Sequence, residues 1–306
     1  MKKFAIAIHG GAGTILKSEM TAEKENAYNY ALISCINQGL ELLKTGGSAL
    51  DAVELAVKAL EDCPLFNAGR GSVFTYEGKH EMDASIMDGK TLNAGAVAGV
   101  RNIKNPVQLA RKVMEKTEHV FLCSSGAETF AKLAGIPFEE DSYFFDEYRF
   151  NQWNAVKDTA TVMLDHSTEK KFGTVGCVAL DMSGNLAAAT STGGMTNKQY
   201  GRIGDTPVIG AGTYANNLTC AVSCTGHGEY FIKSVVAYDV ACLMEYKNMS
   251  LNDACHEVVN NKLKKIGGEG GLIAVDTDGN LVLCFNSDGM YRAHAGNDGK
   301  IHTAIY

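Results

Sequence analysis

The first apolar stretch, Phe4 to Ile8, is short and unbroken, the pattern of a strand buried on both faces, and it stops at His9, Gly10, Gly11, Ala12 and Gly13. A helical rhythm follows. Between Thr21 and Lys44 the residues Ala27, Ala31, Ile33, Ile36, Leu40 and Leu43 recur at roughly helical spacing, and Gly46 with Gly47 supplies a stop. Ser48, with Asp51 three residues on, has the form of a capping box for a second helix, whose apolar face is Val53, Ala56, Val57 and Leu60. Asn67 to Val100 is punctuated by glycine and reads as short strands and turns, and another helix is expected near Pro106 to Lys116. The rhythm then fails. An acidic-aromatic run from Glu139 to Glu147 leads into scattered charges, which reads as a linker or processing segment over residues 137–173.

Beyond that segment two stretches look alike, Val178 to Leu186 and Ile273 to Leu281. Each is a strand, a turn of the Asp/Gly/Asn kind and a returning strand. A helical pattern from Tyr230 to Tyr246 separates them. Strands and helices are thus segregated rather than alternating, which points to an α+β fold and away from a doubly wound parallel sheet.

Composition narrows the function. With 306 residues, 45% apolar and 21% charged, the chain can bury a large core within one domain spanning 1–306. A net charge of −7 without a Lys/Arg cluster gives no footprint for nucleic acid or an anionic membrane, so a small molecule or peptide is the expected substrate. Phe4 to Ile8 is too short for a secretory core and no run reaches transmembrane length, so a cytoplasmic location is expected. Nine cysteines, an odd number, with Cys35, Cys177, Cys242 and Cys284 in apolar strings, suit reduced and buried thiols.

If the first hairpin turns about Ser183, Thr174 and Thr192 face each other, provided no bulge intervenes. Cross-strand partners lie about 4.5 to 5.5 Å apart at Cβ, close enough for two hydroxyls to bond. Threonine is also simply a good strand residue, and that reading applies to most such pairs. Here Gly173, free to hold a strained peptide bond, precedes Thr174 directly after the unpatterned segment. A cut between them would leave Thr174 with a free α-amine, of ordinary pKa about 7.7 to 8.0, able to take its own hydroxyl proton.

The chain resembles the plant-type asparaginases and isoaspartyl peptidases, a family of N-terminal-nucleophile hydrolases. The resemblance covers nearly the whole chain. It rests on Ile8 to Gly13, Pro64 to Gly69, Met82 to Gly89, Gly173 to Gly176, Thr190 to Gly194, Gly201 to Asp205 and Thr225 to Glu229. It implies a four-layer αββα sandwich, self-cleavage into residues 1–173 and 174–306, and a homodimer of cleaved protomers. It further implies Thr174 as nucleophile, Thr192 holding its hydroxyl, and Thr225 with the Gly226 amide as oxyanion hole. Arg202 would take a substrate carboxylate and Asp205 its ammonium, with Asn67, Gly226, His227 and Gly228 lining the pocket. No cofactor is required for catalysis. A structural sodium ion would sit on backbone carbonyls of Leu60, Glu61, Cys63, Phe66, Ala68 and Arg70. The expected reaction is hydrolysis of L-asparagine and β-aspartyl dipeptides through a β-aspartyl ester. His227 stands at a variable position of the family, where a pocket-tuning role competes with a bystander one.

Other readings remain open on sequence alone. A glycosylasparaginase-like hydrolase, a related threonine endopeptidase or a catalytically silent binder of aspartyl compounds would share several of these motifs. Gly11 to Gly13 after a strand hints at a phosphate loop, but Leu16 stands where the third glycine belongs. Cys220, Cys224 and His227 have zinc-like spacing without a fourth ligand. Asp83 and Asp88 flank a glycine turn and read as turn and cap residues rather than as paired acid–base carboxylates, and Arg202 with Asp205, taken outside these motifs, reads as a surface ion pair.

Overall fold

The computed structural model of the chain describes residues 3–157 and 173–306. Its strands are β1 (Ala5–Gly13), β2 (Met82–Asp88), β3 (Ala94–Val100), β4 (Phe121–Cys123), β5 (Thr174–Leu180), β6 (Leu186–Thr192), β7 (Thr213–Ala215), β8 (Cys220–Gly226), β9 (Gly270–Asp276), β10 (Leu281–Phe285), β11 (Gly289–Ala295) and β12 (His302–Ala304). The helices are α1 (Ala22–Lys44), α2 (Ala49–Asp62), α3 (Pro106–Lys116), α4 (Ser124–Leu133), α5 (Asp141–Phe144), α6 (Glu147–Asn154), α7 (Gly228–Ser234), α8 (Val236–Lys247) and α9 (Leu251–His256). The strands form two sheets, one of eight in the order β12-β11-β1-β5-β6-β2-β3-β4 and one of four in the order β10-β9-β8-β7. The fold is α+β, with helices and two sheets.

The long helices begin at hydroxyl caps, that of α2 where the sequence places it. Thr21 accepts the Lys24 amide at 3.3 Å and Ser48 the Asp51 amide at 3.1 Å, each satisfying an orphan donor of the first turn. Leu32, Ile36 and Leu40 of α1 and Val53, Val57 and Leu60 of α2 pack on Ile6, Ile8, Val175 and Cys177 of the large sheet. Each such buried aliphatic side chain contributes about 1.5 to 3 kcal/mol. A second apolar cluster joins Ala5, Ala7, Val178 and Ala188 of the large sheet to Ala221, Ile273 and Val275 of the small one. A third puts Val222, Cys224 and Leu272 of the small sheet against Val236, Val240, Ala254 and Val258.

The two look-alike hairpins are β5–β6 and β9–β10, one in each sheet, and their turns share one chemistry. Asp181 Oδ1 accepts the amides of Ser183 and Asn185, and Asp276 Oδ1 accepts those of Asp278 and Asn280. Asp181 Oδ2 also takes the Ala49 amide at 3.1 Å, which ties the β5–β6 turn to the start of α2.

Three expectations change. The first strand continues through the glycines to Gly13, with a register shift between His9 and Ala12, so Gly11 to Gly13 lie in a sheet and not in a phosphate loop. The helix expected from Tyr230 to Tyr246 is broken at Val235, which is left-handed at φ 49° and separates α7 from α8. The described part of the supposed linker 137–173 is ordered chain: α5 and α6 bring Phe144 into the core and set Phe145, Phe150 and Trp153 around Phe74. The remaining residues of that segment, 158–172, lie outside the described residues. Helices this short carry too few turns for a periodic signal, and their apolar partner is some seventy positions away in sequence.

Candidate active site

Thr174 opens β5 in the middle of the large sheet and is paired in register with Thr192 at the end of β6. Both are buried. The hydroxyls meet as the hairpin count requires: Thr174 Oγ1 donates to Thr192 Oγ1 at 3.3 Å. Thr192 Oγ1 in turn donates to the Gly173 carbonyl at 2.9 Å and accepts the Gly194 amide at 3.0 Å. The Gly173 carbonyl therefore already has a donor on its oxygen, with a hydroxyl on the next residue.

Asn67 holds the neighbouring loop. Its Nδ2 donates to the Gly194 carbonyl at 2.7 Å, its Oδ1 accepts the Val73 amide at 3.0 Å, and its main-chain carbonyl accepts the Gly193 amide. A Cβ at Gly173 would fall 2.2 Å from Asn67 Cβ, so only glycine fits there. Thr225, near the end of β8, is fully buried, and its Oγ1 accepts the Ala12 amide at 3.2 Å from the neighbouring sheet. Gly226 follows it, paired with Gly270 of β9.

Arg202, Asp205, His227 and Gly228 form a second group. The Arg202 fork does not pair with Asp205; its Nε and Nη2 each donate to Glu229 at 2.8 Å. A side-on pair of that kind leaves both hydrogens on Nη1 and one on Nη2 for another carboxylate. His227 Nε2 lies 3.1 Å from Glu229 Oε2 and its ring packs edge-on against Tyr230. Against the upward push of burial, the bonds from His227 and Arg202 hold the Glu229 carboxyl far below the usual carboxylate range. Asp205 differs from a surface partner: it is buried, its Oδ2 has no hydrogen-bond partner, and burial pushes it up to about 7 despite the pull of Arg202. Gly228 lies against both, since a Cβ there would fall 2.9 Å from Asp205 Oδ1 and 3.0 Å from Arg202 Nη2.

Some functional neighbours escaped the sequence reading. Asp83 is no turn residue: it sits in β2, in register with Thr192, fully buried, with Oδ1 accepting the Gly99 amide at 2.8 Å. Burial raises its carboxyl while the charges of Lys198 and Arg202 pull it down, which links the two groups of the site. Lys198 is itself buried and donates to the Glu81 carbonyl at 2.8 Å. Asp88 does cap its turn, accepting Lys90 and Thr91. Glu229 lay within a recognised motif, but nothing in its spacing marked it as the partner of Arg202. Cys220 and Cys224 point into the apolar cluster of the small sheet with their thiols pushed up by burial, and His227 turns to Glu229, which leaves the zinc reading without a site.

A family profile described as asparaginase matches residues 2–305. The chain belongs to the asparaginase family. Among its relatives is the isoaspartyl peptidase of Salmonella typhimurium, 53% identical over 311 residues that cover 100% of this chain and 99% of that protein. The isoaspartyl peptidase of Escherichia coli is 52% identical, with 100% and 97% covered. An isoaspartyl peptidase/L-asparaginase of Bos taurus is 43% identical, with 98% and 95% covered. No helix among the described residues is long and apolar enough to cross a membrane.

Proposed function

We propose that this chain is an autoprocessing threonine amidohydrolase that converts L-asparagine to L-aspartate and ammonia and cleaves β-aspartyl dipeptides. The observation that carries the reading is Thr174 at the head of a buried central strand, its hydroxyl bonded to Thr192 and its preceding carbonyl accepting from the same residue. Maturation begins with attack of Thr174 Oγ1 on the Gly173 carbonyl carbon. The Gly173 to Thr174 amide becomes an ester, which water hydrolyses to release a Gly173 carboxylate and a Thr174 amine. Chains 1–173 and 174–306 result.

In the mature protein the Thr174 amine takes the Oγ1 proton as Oγ1 bonds the substrate β-carbonyl carbon. The oxyanion is met by the Thr225 hydroxyl and the Gly226 amide. Donors of this kind are worth about 2.7 to 4 kcal/mol each. The carbon–nitrogen bond then breaks, the proton passes to the departing ammonia or amino acid, and water cleaves the β-aspartyl ester by the reverse proton path. The free end of Arg202 receives the substrate α-carboxylate and the unpartnered oxygen of Asp205 the α-ammonium. That pair reads an aspartyl unit and leaves its side-chain carbonyl for Thr174. Asn67, His227 and Gly228 complete the lining.

The segment Leu60 to Arg70 fits a hard monovalent cation. Its main chain folds back so that Gly69, at φ 52°, would place a Cβ 2.4 Å from the Glu61 carbonyl. Carbonyls of Leu60, Glu61, Cys63, Phe66, Ala68 and Arg70 would hold a sodium ion, which stabilises the loop carrying Asn67 and takes no part in the reaction. We read the layers as a four-layer αββα sandwich of one domain, 1–306, supported by the three separate apolar clusters, and the mature enzyme as a cytoplasmic dimer of cleaved protomers. Nine free cysteines are in keeping with a reducing compartment.

The test is hydrolysis of L-asparagine and β-aspartyl-leucine by purified protein whose mass is followed in parallel. The reading requires two fragments and release of aspartate. An intact chain that binds aspartyl compounds without turnover would replace it with the binder.

A further inference from the structure

One row of polar side chains interrupts the apolar interface between the sheets. In the large sheet His9, Gly176, Thr190 and Ser85 occupy a single cross-strand row on β1, β5, β6 and β2. Facing them are Ser223 of β8 and its register partner Thr213 of β7. All five polar side chains are fully buried. Burial of that kind is costly unless every group is bonded, so the direction of each bond can be worked out.

A carbonyl only accepts, so His9 Nδ1, 3.0 Å from the Thr174 carbonyl oxygen, carries a proton. Burial pushes His9 down to about 3 against the pull of that carbonyl, so the ring is neutral and Nε2 is an acceptor. Ser223 Oγ, 2.9 Å from Nε2, must donate. Its proton spent, Ser223 accepts from Thr190 Oγ1 at 2.7 Å, and Thr190 accepts from Thr213 Oγ1 at 2.5 Å. Ser85 Oγ closes the far end, within 2.8 Å of Thr213 Oγ1 and 2.6 Å of the Thr206 carbonyl. The Gly212 carbonyl, 3.2 Å from Thr190, is a longer alternative for the Thr190 proton. Gly176 makes the row feasible, because a Cβ there would fall 1.9 Å from Ser223 Oγ and 2.5 Å from His9 Nε2.

This row lies beside the reactive one. Two residues along each strand, on the same face, stand Thr174, Thr192 and Asp83. The register of β1 with β5 ends at the His9 and Gly176 pair, short of Thr174, and the imidazole supplies the bond to that carbonyl instead. We propose that His9 is a positioning residue for Thr174: held at Nε2 by the hydroxyl chain of Ser223, Thr190, Thr213 and Ser85, its Nδ1–H clamps the Thr174 carbonyl and so orients the amine and hydroxyl of the same residue. The role rests on Thr174 being the nucleophile. It matters most after the cut, when Thr174 has lost its covalent tether to Gly173.

The test compares wild type with His9→Leu, His9→Asn and Ser223→Ala on β-aspartyl-leucine, with rates normalised to the cleaved fraction. Misplacement of a reacting group by about 1 Å costs on the order of a hundredfold. His9→Leu should lower kcat by roughly that factor with KM changed less than about threefold. His9→Asn, whose Nδ2 stands where Nδ1 stood, should recover to within about tenfold of wild type. Nitrogen-15 NMR of histidine-labelled wild type, assigned with His9→Asn, should show Nδ1 protonated and Nε2 bare from about pH 9 down to about pH 5. If His9→Leu does not fold, Ser223→Ala decides the kinetics, with a fall in kcat and an altered His9 nitrogen signature expected. Wild-type kcat in His9→Leu or in Ser223→Ala, or a His9 ring protonated at Nε2, overturns the proposal. Absence of hydrolysis by wild type would instead overturn the functional reading, while the nitrogen spectrum still tests the tautomer.

Discussion

Replacing Thr192 by valine keeps the shape of the side chain and deletes one oxygen. That oxygen makes three bonds: it accepts from Thr174 Oγ1 at 3.3 Å and from the Gly194 amide at 3.0 Å, and donates to the Gly173 carbonyl at 2.9 Å. Loss of the bond to Gly173 removes a donor from the oxygen that becomes negative when Thr174 attacks. Such donors are worth about 2.7 to 4 kcal/mol, or on the order of a hundredfold to a thousandfold in rate. The ground-state cost is smaller, about 1 kcal/mol for a typical intramolecular bond and up to about 3 if the half-buried Gly194 amide is orphaned. Thr192→Val should therefore fold yet accumulate as an uncleaved chain. Intact-mass spectrometry over time after purification would give the rate of conversion into residues 1–173 and 174–306, and Thr192→Ser should restore most of it. Cleavage of Thr192→Val at the wild-type rate would refute the reasoning, because the 2.9 Å contact would then contribute nothing to the transition state.

Three further outcomes follow from the charged groups. Asp205, raised to about 7 by burial, must be ionised to receive an ammonium, so kcat/KM should fall about tenfold per pH unit below that value. Bound substrate keeps it ionised, so kcat should lack this limb, and Asp205→Asn should remove it from kcat/KM at the cost of a much higher KM. Glu229→Gln releases the Arg202 fork from its side-on partner and should raise KM for asparagine by roughly an order of magnitude with a smaller change in kcat; the reverse pattern would place Glu229 in the chemistry. Glu61 is fully buried, and burial lifts its carboxyl from 4.5 to about 8 although Ser191 and the Val107 amide bond to it. A raised carboxyl contributes stability that is whole below its unfolded value and is lost as pH rises toward the folded one. Thermal unfolding should accordingly drop between about pH 5 and pH 9, and Glu61→Gln should flatten that slope and melt higher than wild type at the alkaline end, whereas an unchanged slope would mean Glu61 is ionised throughout.

Local rules reached the parts of the fold that local chemistry determines. The cap at Ser48 starts its helix where expected, and counting from Ser183 sets Thr174 against Thr192 because the hairpin carries no bulge. Within the motif from Gly201 to Asp205, a surface ion pair between Arg202 and Asp205 was one reading open on sequence, and it does not form. The actual partner of Arg202 is Glu229, brought in by the start of α7, and spacing along the chain holds no trace of that. The row of His9, Thr190, Ser85, Ser223 and Thr213 was illegible for a similar reason. Each residue alone is an ordinary strand residue, and their chemistry appears only when six strands of two facing sheets come together. Phe145, Phe150 and Trp153 were read as a linker because their partner Phe74 lies far back along the chain, and only tertiary packing makes them apolar cover.

The central claim is that one residue, Thr174, both cuts the chain and carries the reaction. Its most direct test follows Thr174→Ala beside wild type by intact-mass spectrometry while each is incubated with β-aspartyl-leucine. The account predicts that wild type appears as chains 1–173 and 174–306 and, when mixed with substrate and quenched, shows the 174–306 chain heavier by one aspartyl group, whereas Thr174→Ala stays whole and releases no leucine. Cleavage of Thr174→Ala between residues 173 and 174, or turnover by an intact wild-type chain, would contradict it.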